Sequence, residues 1–260
     1  MKLTRANYHS NEANKLYWSV SQFKTFKECE AKGLAQVQGV YEMPTTESLL
    51  MGSYVDSFFG GYGLEFTVEH PEIFNKRTGE LKSQYKRADD AIARVRRDPY
   101  FMGYLDGEKQ KIMTGTLFDQ EWKIMIDFYH ENEMIVDLKF MRDMKNVYKD
   151  GEYKSFVDAW GYDIQGYVYQ QIVKANTGKE LPFYLAVITK EEVTDYDIIH
   201  IPQWRLNSAG ELVRHYTKRF AAIKDGTEEP ERCGKCDYCK QTKTLTAPKE
   251  YEDLIEPKEV

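Results

Sequence analysis

Asp127 closes the apolar run Lys-Ile-Met-Ile-Asp at 123–127, and a polar turn later the run Met-Ile-Val-Asp-Leu-Lys-Phe at 134–140 carries Asp137 and Lys139. Side chains in a strand alternate sides, so Asp137 and Lys139 share one face while Val136 and Leu138 point into the core. A hairpin of the two runs sets Asp127 beside Asp137, with the Lys139 amine next to both. Two carboxylates about 4 Å apart repel by about 4 kcal/mol at an effective dielectric of 20. A divalent cation turns that repulsion into binding energy, and hard oxygen donors suit Mg2+ or Mn2+.

The elements that must position these groups are readable from periodicity and punctuation. Ser19 to Gln22 resembles a capping box and opens a helix expected to run to about Leu34. Pro44 to Ser48 opens a second helix, which carries Asp56 and stops at Gly60 and Gly61. Residues 62–82 read as irregular and 82–98 as a charged helix, with a further turn at 100–105. Antiparallel strands are expected at 110–117, 121–128 and 133–140, a helix at 156–176, strands at 183–190 and 196–201, and a helix at 203–224. Strands, a helix and further strands in this order indicate an α/β (α+β) fold with the first helices packed outside. On the 156–176 helix, Tyr162, Gln165 and Tyr169 lie at i, i+3 and i+7 and share a face.

Asp127, then Asp137-Leu138-Lys139, resembles the D…(D/E)-x-K signature of the PD-(D/E)XK nuclease superfamily. Gln165-Gly-Tyr-Val-Tyr169 is similar to the Q-x-x-x-Y element of its RecB-type branch. Met51 to Asp56 resembles that branch's first motif, with Asp56 where histidine is usual. The resemblance spans roughly Ser19 to Lys240 and is nearest to phage and prophage nucleases akin to the exodeoxyribonuclease VIII group. It implies a restriction-endonuclease-like core, a central mixed sheet flanked by helices with an N-terminal helical elaboration. The activity implied is Mg2+-dependent hydrolysis of DNA from free ends, in phage-type recombination or end processing. Asp56, Asp127 and Asp137 would be metal ligands, with the Leu138 carbonyl, and Lys139, Gln165 and Tyr169 would complete the catalytic set. A recombination partner protein and a homo-oligomer are further partners it brings into view. A D-x-K triplet alone also arises as a plain cross-strand ion pair; four motifs in order carry far more weight. Two other readings stay open: a nucleic-acid-binding relative without activity, and a cysteine–metal interaction module whose carboxylates are incidental.

The chain holds four cysteines, Cys29 alone and Cys233, Cys236 and Cys239 at C-x2-C-x2-C spacing. The short triple run suits ferredoxin-like iron–sulfur binding, with Cys29 as the one remaining thiol for a 4Fe-4S cluster. A Zn2+ site and four free thiols are the alternatives. RecB-type nucleases with an iron–sulfur staple look similar, one cysteine before the core and three after it, although their last spacing is longer. A cross-link over so long a loop restricts the unfolded chain strongly in the entropy model.

With 260 residues, 42% hydrophobic and 30% charged, the chain is expected to form a single domain: an arm at 1–16, a helical part at 17–106, a catalytic core at 107–225, and the cysteine motif with an acidic tail at 226–260. A net charge of -6 argues against general electrostatic adsorption to nucleic acid but leaves room for a local basic groove. No apolar run approaches the ~20 residues of a membrane span, and the first residues lack a signal-peptide core, so no membrane partner and a cytoplasmic location are expected. Asn176 to Lys179 lacks the glycine and hydroxyl pattern of a phosphate loop, and His130-Glu131 reads as a hairpin turn. Of the basic residues, Arg142, Lys145, Lys149 and Lys154 follow the D-x-K strand directly and are favoured as a path for DNA.

Overall fold

Runs of β-branched and aromatic residues pair into a five-stranded sheet in this computed structural model, which describes residues 1–248 and 250–251. In chain order the elements are α1 (Asn11–Leu16), α2 (Val20–Glu28), α3 (Glu30–Gln38), α4 (Glu47–Gly60), α5 (Gly63–Glu69), α6 (Ser83–Val95), α7 (Pro99–Tyr104), β1 (Glu108–Leu117), β2 (Gln120–His130), β3 (Met134–Met141), β4 (Val147–Lys149), β5 (Glu152–Lys154), α8 (Phe156–Ala159), α9 (Tyr162–Thr177), β6 (Phe183–Thr189), β7 (Tyr196–Ile201), α10 (Gln203–Lys224) and α11 (Asp237–Gln241). The sheet runs β1-β2-β3-β6-β7. Its pairs are antiparallel except β3 with β6, which are parallel and joined by a crossover through α8 and α9. This mixed sheet flanked by helices is the restriction-endonuclease-like fold. A small hairpin, β4–β5, stands apart from it.

Both faces of the sheet are covered. On one, Trp122, Ile124 and Ile126 of β2 pack with Phe23 and Phe26 of α2, Val168 and Ile172 of α9, and Phe220 of α10. On the other, Phe128, Val136, Leu138 and Ile188 meet Val55 and Phe59 of α4 and Ile92 of α6. Asp137 and Lys139 alternate with Val136 and Leu138, so they face the α9 layer, as the strand period requires.

Four local expectations are corrected. The helix expected from Ser19 to Leu34 is two helices, because Cys29 between them is extended (φ -165, ψ 110). The break is held by tertiary contacts: Glu30 accepts from Arg219 Nε and Nη2, each at 2.7 Å, and from the Glu231 N–H at 2.7 Å. The helix expected over 156–176 is likewise broken, at Gly161, whose left-handed φ of 63 suits a residue without Cβ. Residues 62–82 contain α5 and a 3-10 turn at Pro71–Ile73. The first residues are folded rather than a bare arm: Tyr8 and Ala13 are buried, and Lys123 Nζ donates to the Tyr8 carbonyl and, at 2.7 Å, to Asn14 Oδ1. The acidic end at 252–260 lies outside the described residues.

Helix α9 lies close on β6 because Gly166 has no side chain; an added Cβ would come within 2.6 Å of the Phe183 ring and 2.8 Å of Leu206 Cδ2. Gly166→Ala is expected to lower stability by about 1–3 kcal/mol through overpacking. Gly52→Ala, where a Cβ meets nothing within 4 Å, is expected to raise it slightly through helix propensity. Urea unfolding midpoints of the two variants check both signs.

Candidate active site

The site begins at a paired irregularity in β1 and β2. Their register is continuous at Lys109↔Phe128 and Lys111↔Ile126 but omits Gln110 and Asp127 between them. Gln110 adopts a left-handed φ of 54, rare for a residue with a side chain. Its Nε2 donates to Asp127 Oδ1 at 3.3 Å, while the Leu138 N–H donates to Asp127 Oδ2 at 2.9 Å. The β2–β3 ladder covers only Phe128↔Val136, Tyr129↔Ile135 and His130↔Met134. Further down, the free side of β2 is taken by Trp18, which donates to the Glu121 carbonyl at 2.7 Å and accepts from the Lys123 N–H at 2.8 Å. Around this parting of the strands lies a cleft of about 360 Å³, lined by Asp56, Asp127, Asp137, Lys139, Gln165 and Tyr169. Residues drawn from α4, β2, β3 and α9 are thus brought to one place. Leu138 keeps its side chain in the core and borders the site through its backbone.

Asp137 is buried. Its Oδ1 accepts from Gln165 Nε2 at 2.5 Å, and Lys139 Nζ stands 2.5 Å from Oδ2 as an ion pair. The ammonium therefore takes the second oxygen of Asp137 as Gln165 takes the first. Burial raises the Asp56 carboxyl to about 7, with Lys139 opposing and Asp137 adding to the rise. Asp127 is also held well above the ordinary carboxylate range, by burial first and then by the charges of Asp137 and Asp56. Burial works to lower the Lys139 ammonium, but Asp137 and Asp127 outweigh it and the net shift is upward, so the amine stays charged. Tyr169 is buried with its hydroxyl on the Met125 carbonyl at 3.0 Å, tying α9 to β2.

Three carboxylates form a hard donor set that suits a divalent cation. The aspartates line the cleft more loosely than a closed coordination shell, and the Lys139 ammonium serves as counter-charge to Asp137.

Several lining residues were not foreseen from the sequence. Tyr8 and His9 come from the folded N-terminal segment, and Lys24 from α2. Lys24 Nζ donates to the Trp160 carbonyl at 2.8 Å, and burial, followed by the charge of Lys139, lowers its pKa to about 8. The spacing of Val20, Phe23 and Phe26 announces only the buried side of α2, so nothing marks Lys24 as facing a cleft. The basic residues after β3 are largely engaged elsewhere. Arg142 pairs with Asp143, Lys145 with Glu191, and Lys154 with Asp150 and Glu152, while Lys149 donates to the Ala159 carbonyl.

Cys29, Cys233, Cys236 and Cys239 converge at a second place, all four sulfurs within 4.8 Å of one another. Cys29 Sγ is 3.6 Å and Cys233 Sγ 3.9 Å from Cys239 Sγ. The break at Cys29 turns its thiol toward the C-terminal segment.

Residues 19–242 match the family described as "PDDEXK-like domain of unknown function (DUF3799)". The chain belongs to this family. Its members fall within the PD-(D/E)XK nuclease superfamily, and the fold agrees. A crystal structure of a Eubacterium rectale protein named "putative exonuclease" is 45% identical, with a TM-score of 0.94 and 98% of each chain covered. A second solved structure, of the protein SSO0001, is 12% identical with a TM-score of 0.32 over 85% of this chain and 92% of that one, too distant to add to the argument. No curated protein matches this DUF3799 chain.

Between pH 4 and 7 the metal-free folded protein retains a proton on Asp56 that the unfolded chain has released, so this carboxyl lowers stability as pH rises through that window. With EDTA present, the Tm advantage of Asp56→Asn over the unaltered protein is expected to grow from near zero at about pH 4 to about 2–5 °C at about pH 8. Thermal scans across pH read the difference directly; an advantage that does not change with pH removes the assignment.

Proposed function

We propose that this DUF3799 protein is a Mg2+- or Mn2+-dependent deoxyribonuclease of RecB type that degrades DNA from free ends, in phage-type recombination or end processing. The observation that carries the reading is the meeting of Asp127, Asp137 and Lys139 with Asp56 and Gln165 in one cleft. The name of the Eubacterium rectale relative supports the exonuclease form. The recombination role rests on the likeness to the exodeoxyribonuclease VIII group.

In this reading Asp56, Asp127 and Asp137, with the Leu138 carbonyl, hold the cation. When bound, it would acidify an attacking water and neutralise charge on the phosphate oxygens. Gln165 takes one Asp137 oxygen and Lys139 pairs with the other, which fixes the orientation of the carboxylate. Leu138 N–H and Gln110 fix the Asp127 carboxylate in the same way. Lys139 keeps its proton and sets a positive charge where the phosphate develops negative charge, the type of fixed electrostatic contact that contributes most when water is excluded. Tyr169 acts by holding α9 in place. The whole chain works as one nuclease domain in the cytoplasm; none of the described helices is long and apolar enough to cross a membrane.

The four thiolates hold a structural metal that staples α2 and α3 to the C-terminal segment. A single tetrahedral ion with metal–sulfur bonds of about 2.3 Å sets sulfurs about 3.8 Å apart; here two of the pairs stand at 3.6 and 3.9 Å and all lie within 4.8 Å. A four-iron cube interposes its own atoms and needs the thiolates spread wider, so the spacing favours Zn2+ over the iron–sulfur cluster that the cysteine pattern suggested.

Linear end-labelled DNA is expected to be degraded with Mg2+ or Mn2+ and spared with EDTA. Asp137→Ala and Lys139→Ala are each expected to lower the rate by about 10²–10³-fold or more; full activity in both sinks the site. Circular DNA cut as fast as linear removes the exonuclease form. Metal analysis of protein purified without air is expected to find zinc, and a brown, iron-containing product overturns the spacing argument.

A further inference from the structure

Next to the acidic cleft lies a second lobe of about 660 Å³ that shares Lys24, Asp56, Lys139 and Gln165 with it. Its walls have a different chemistry. Lys190 Nζ donates to the Ser48 carbonyl at 3.0 Å and to Ser48 Oγ at 2.8 Å, and lies 5.1 Å from the centre of the Phe140 ring. Lys24 Nζ donates to the Trp160 carbonyl. Neither ammonium has a carboxylate within ion-pair distance among the described residues, whereas nearby Lys145 and Lys154 are both neutralised that way. An ammonium carries three donors, so each of these two keeps at least one for a ligand. A partly dehydrated cation without a partner is unfavourable in isolation and attracts an anion.

Trp160 also lines this lobe, and 46% of its surface is exposed. Its ring is steadied by Lys149 Nζ at 5.4 Å, an amine itself anchored on the Ala159 carbonyl at 2.8 Å. An aromatic surface flanked by unpaired ammonium groups matches the repeat of a polynucleotide, in which flat bases alternate with charged phosphates. Only an unpaired strand presents its base faces for stacking.

We propose that the second lobe binds a single polynucleotide strand continuous with the one in the acidic cleft, with Lys24 and Lys190 on its phosphates and Trp160 stacked on a base. This rests on the nuclease reading and adds a substrate form to it, a single strand several nucleotides long. Arg142 is given no phosphate, since Asp143 Oδ2 already holds its Nε at 2.7 Å.

The test is fluorescence anisotropy of labelled oligothymidylates of about 2 to 10 nucleotides, with Ca2+ replacing Mg2+ to hold back hydrolysis. For the unaltered protein, affinity is expected to rise with length beyond the dinucleotide. Trp160→Ala is expected to weaken binding of the longer strands by about 10-fold, with Trp160→Phe recovering most of it. Lys190→Gln is expected to reduce the slope of log affinity against log salt by about 0.7. Unchanged affinity and salt slope in Trp160→Ala and Lys190→Gln overturn the proposal, as does an unaltered protein that binds none of the oligonucleotides. The two readings separate cleanly. Protein that shows these dependences yet never cuts DNA in Mg2+ keeps the lobe and loses the nuclease, and protein that cuts while the variants bind normally does the reverse.

Discussion

Three carboxylates facing one cleft repel one another, and that repulsion has to be overcome by everything built around them. Asp137 and Asp127 each receive a side-chain amide, from Gln165 and Gln110, and Asp127 also takes a main-chain N–H. Among the described residues, Lys139 supplies the one contacting positive charge. These contacts offset part of the cost; the remainder falls on the apolar layers that clamp the sheet from both faces, where each fully buried large side chain contributes about 1.5–3 kcal/mol. Burial first, and then the neighbouring carboxylates, raise Asp56 and Asp127 above the ordinary carboxylate range.

Some departures from regular structure lie beside the cleft and the cysteine group. Gln110 leaves the β region opposite Asp127, the β2–β3 ladder ends after three pairs, and Gly161 breaks a helix just before the turn that carries Tyr162 and Gln165. Cys29 breaks another helix and so reaches the other three thiols. Each departure is unfavourable locally and makes sense only through the side chain it aims, a pattern expected where function overrides local preference.

What the sequence disclosed and what it hid follow from the range of the forces involved. Asp127, Asp137 and Lys139 could be placed together because strand alternation and a short polar turn are local rules. Gln165 and Tyr169 came from the resemblance to the Q-x-x-x-Y element, and helical spacing added only that they share a face. The split at Cys29 could not be read, since the residues on either side are ordinary helix formers and the deciding contacts come from Arg219 and Glu231, some 200 positions away. Lys24 and the folded first residues were hidden for the same reason: their partners, Trp160 and Lys123, are distant in the chain. The four cysteines were legible as a group, whereas the sulfur spacing that separates one ion from a cluster exists only in three dimensions.

If the four thiols hold the proposed metal, their separation also sets when the protein becomes complete during its own synthesis. Cys29 and Cys239 are 210 positions apart, which at ordinary translation speed separates their emergence by about 10–40 s. Through that interval the segment bearing Lys24 lacks the clamp that anchors its far end, and the early thiol waits exposed. A nascent chain truncated before its last cysteines therefore carries all the aspartates of the cleft without the proposed fastening for one of its walls, and that wall is clamped only once Cys239, 210 positions after Cys29, has been added.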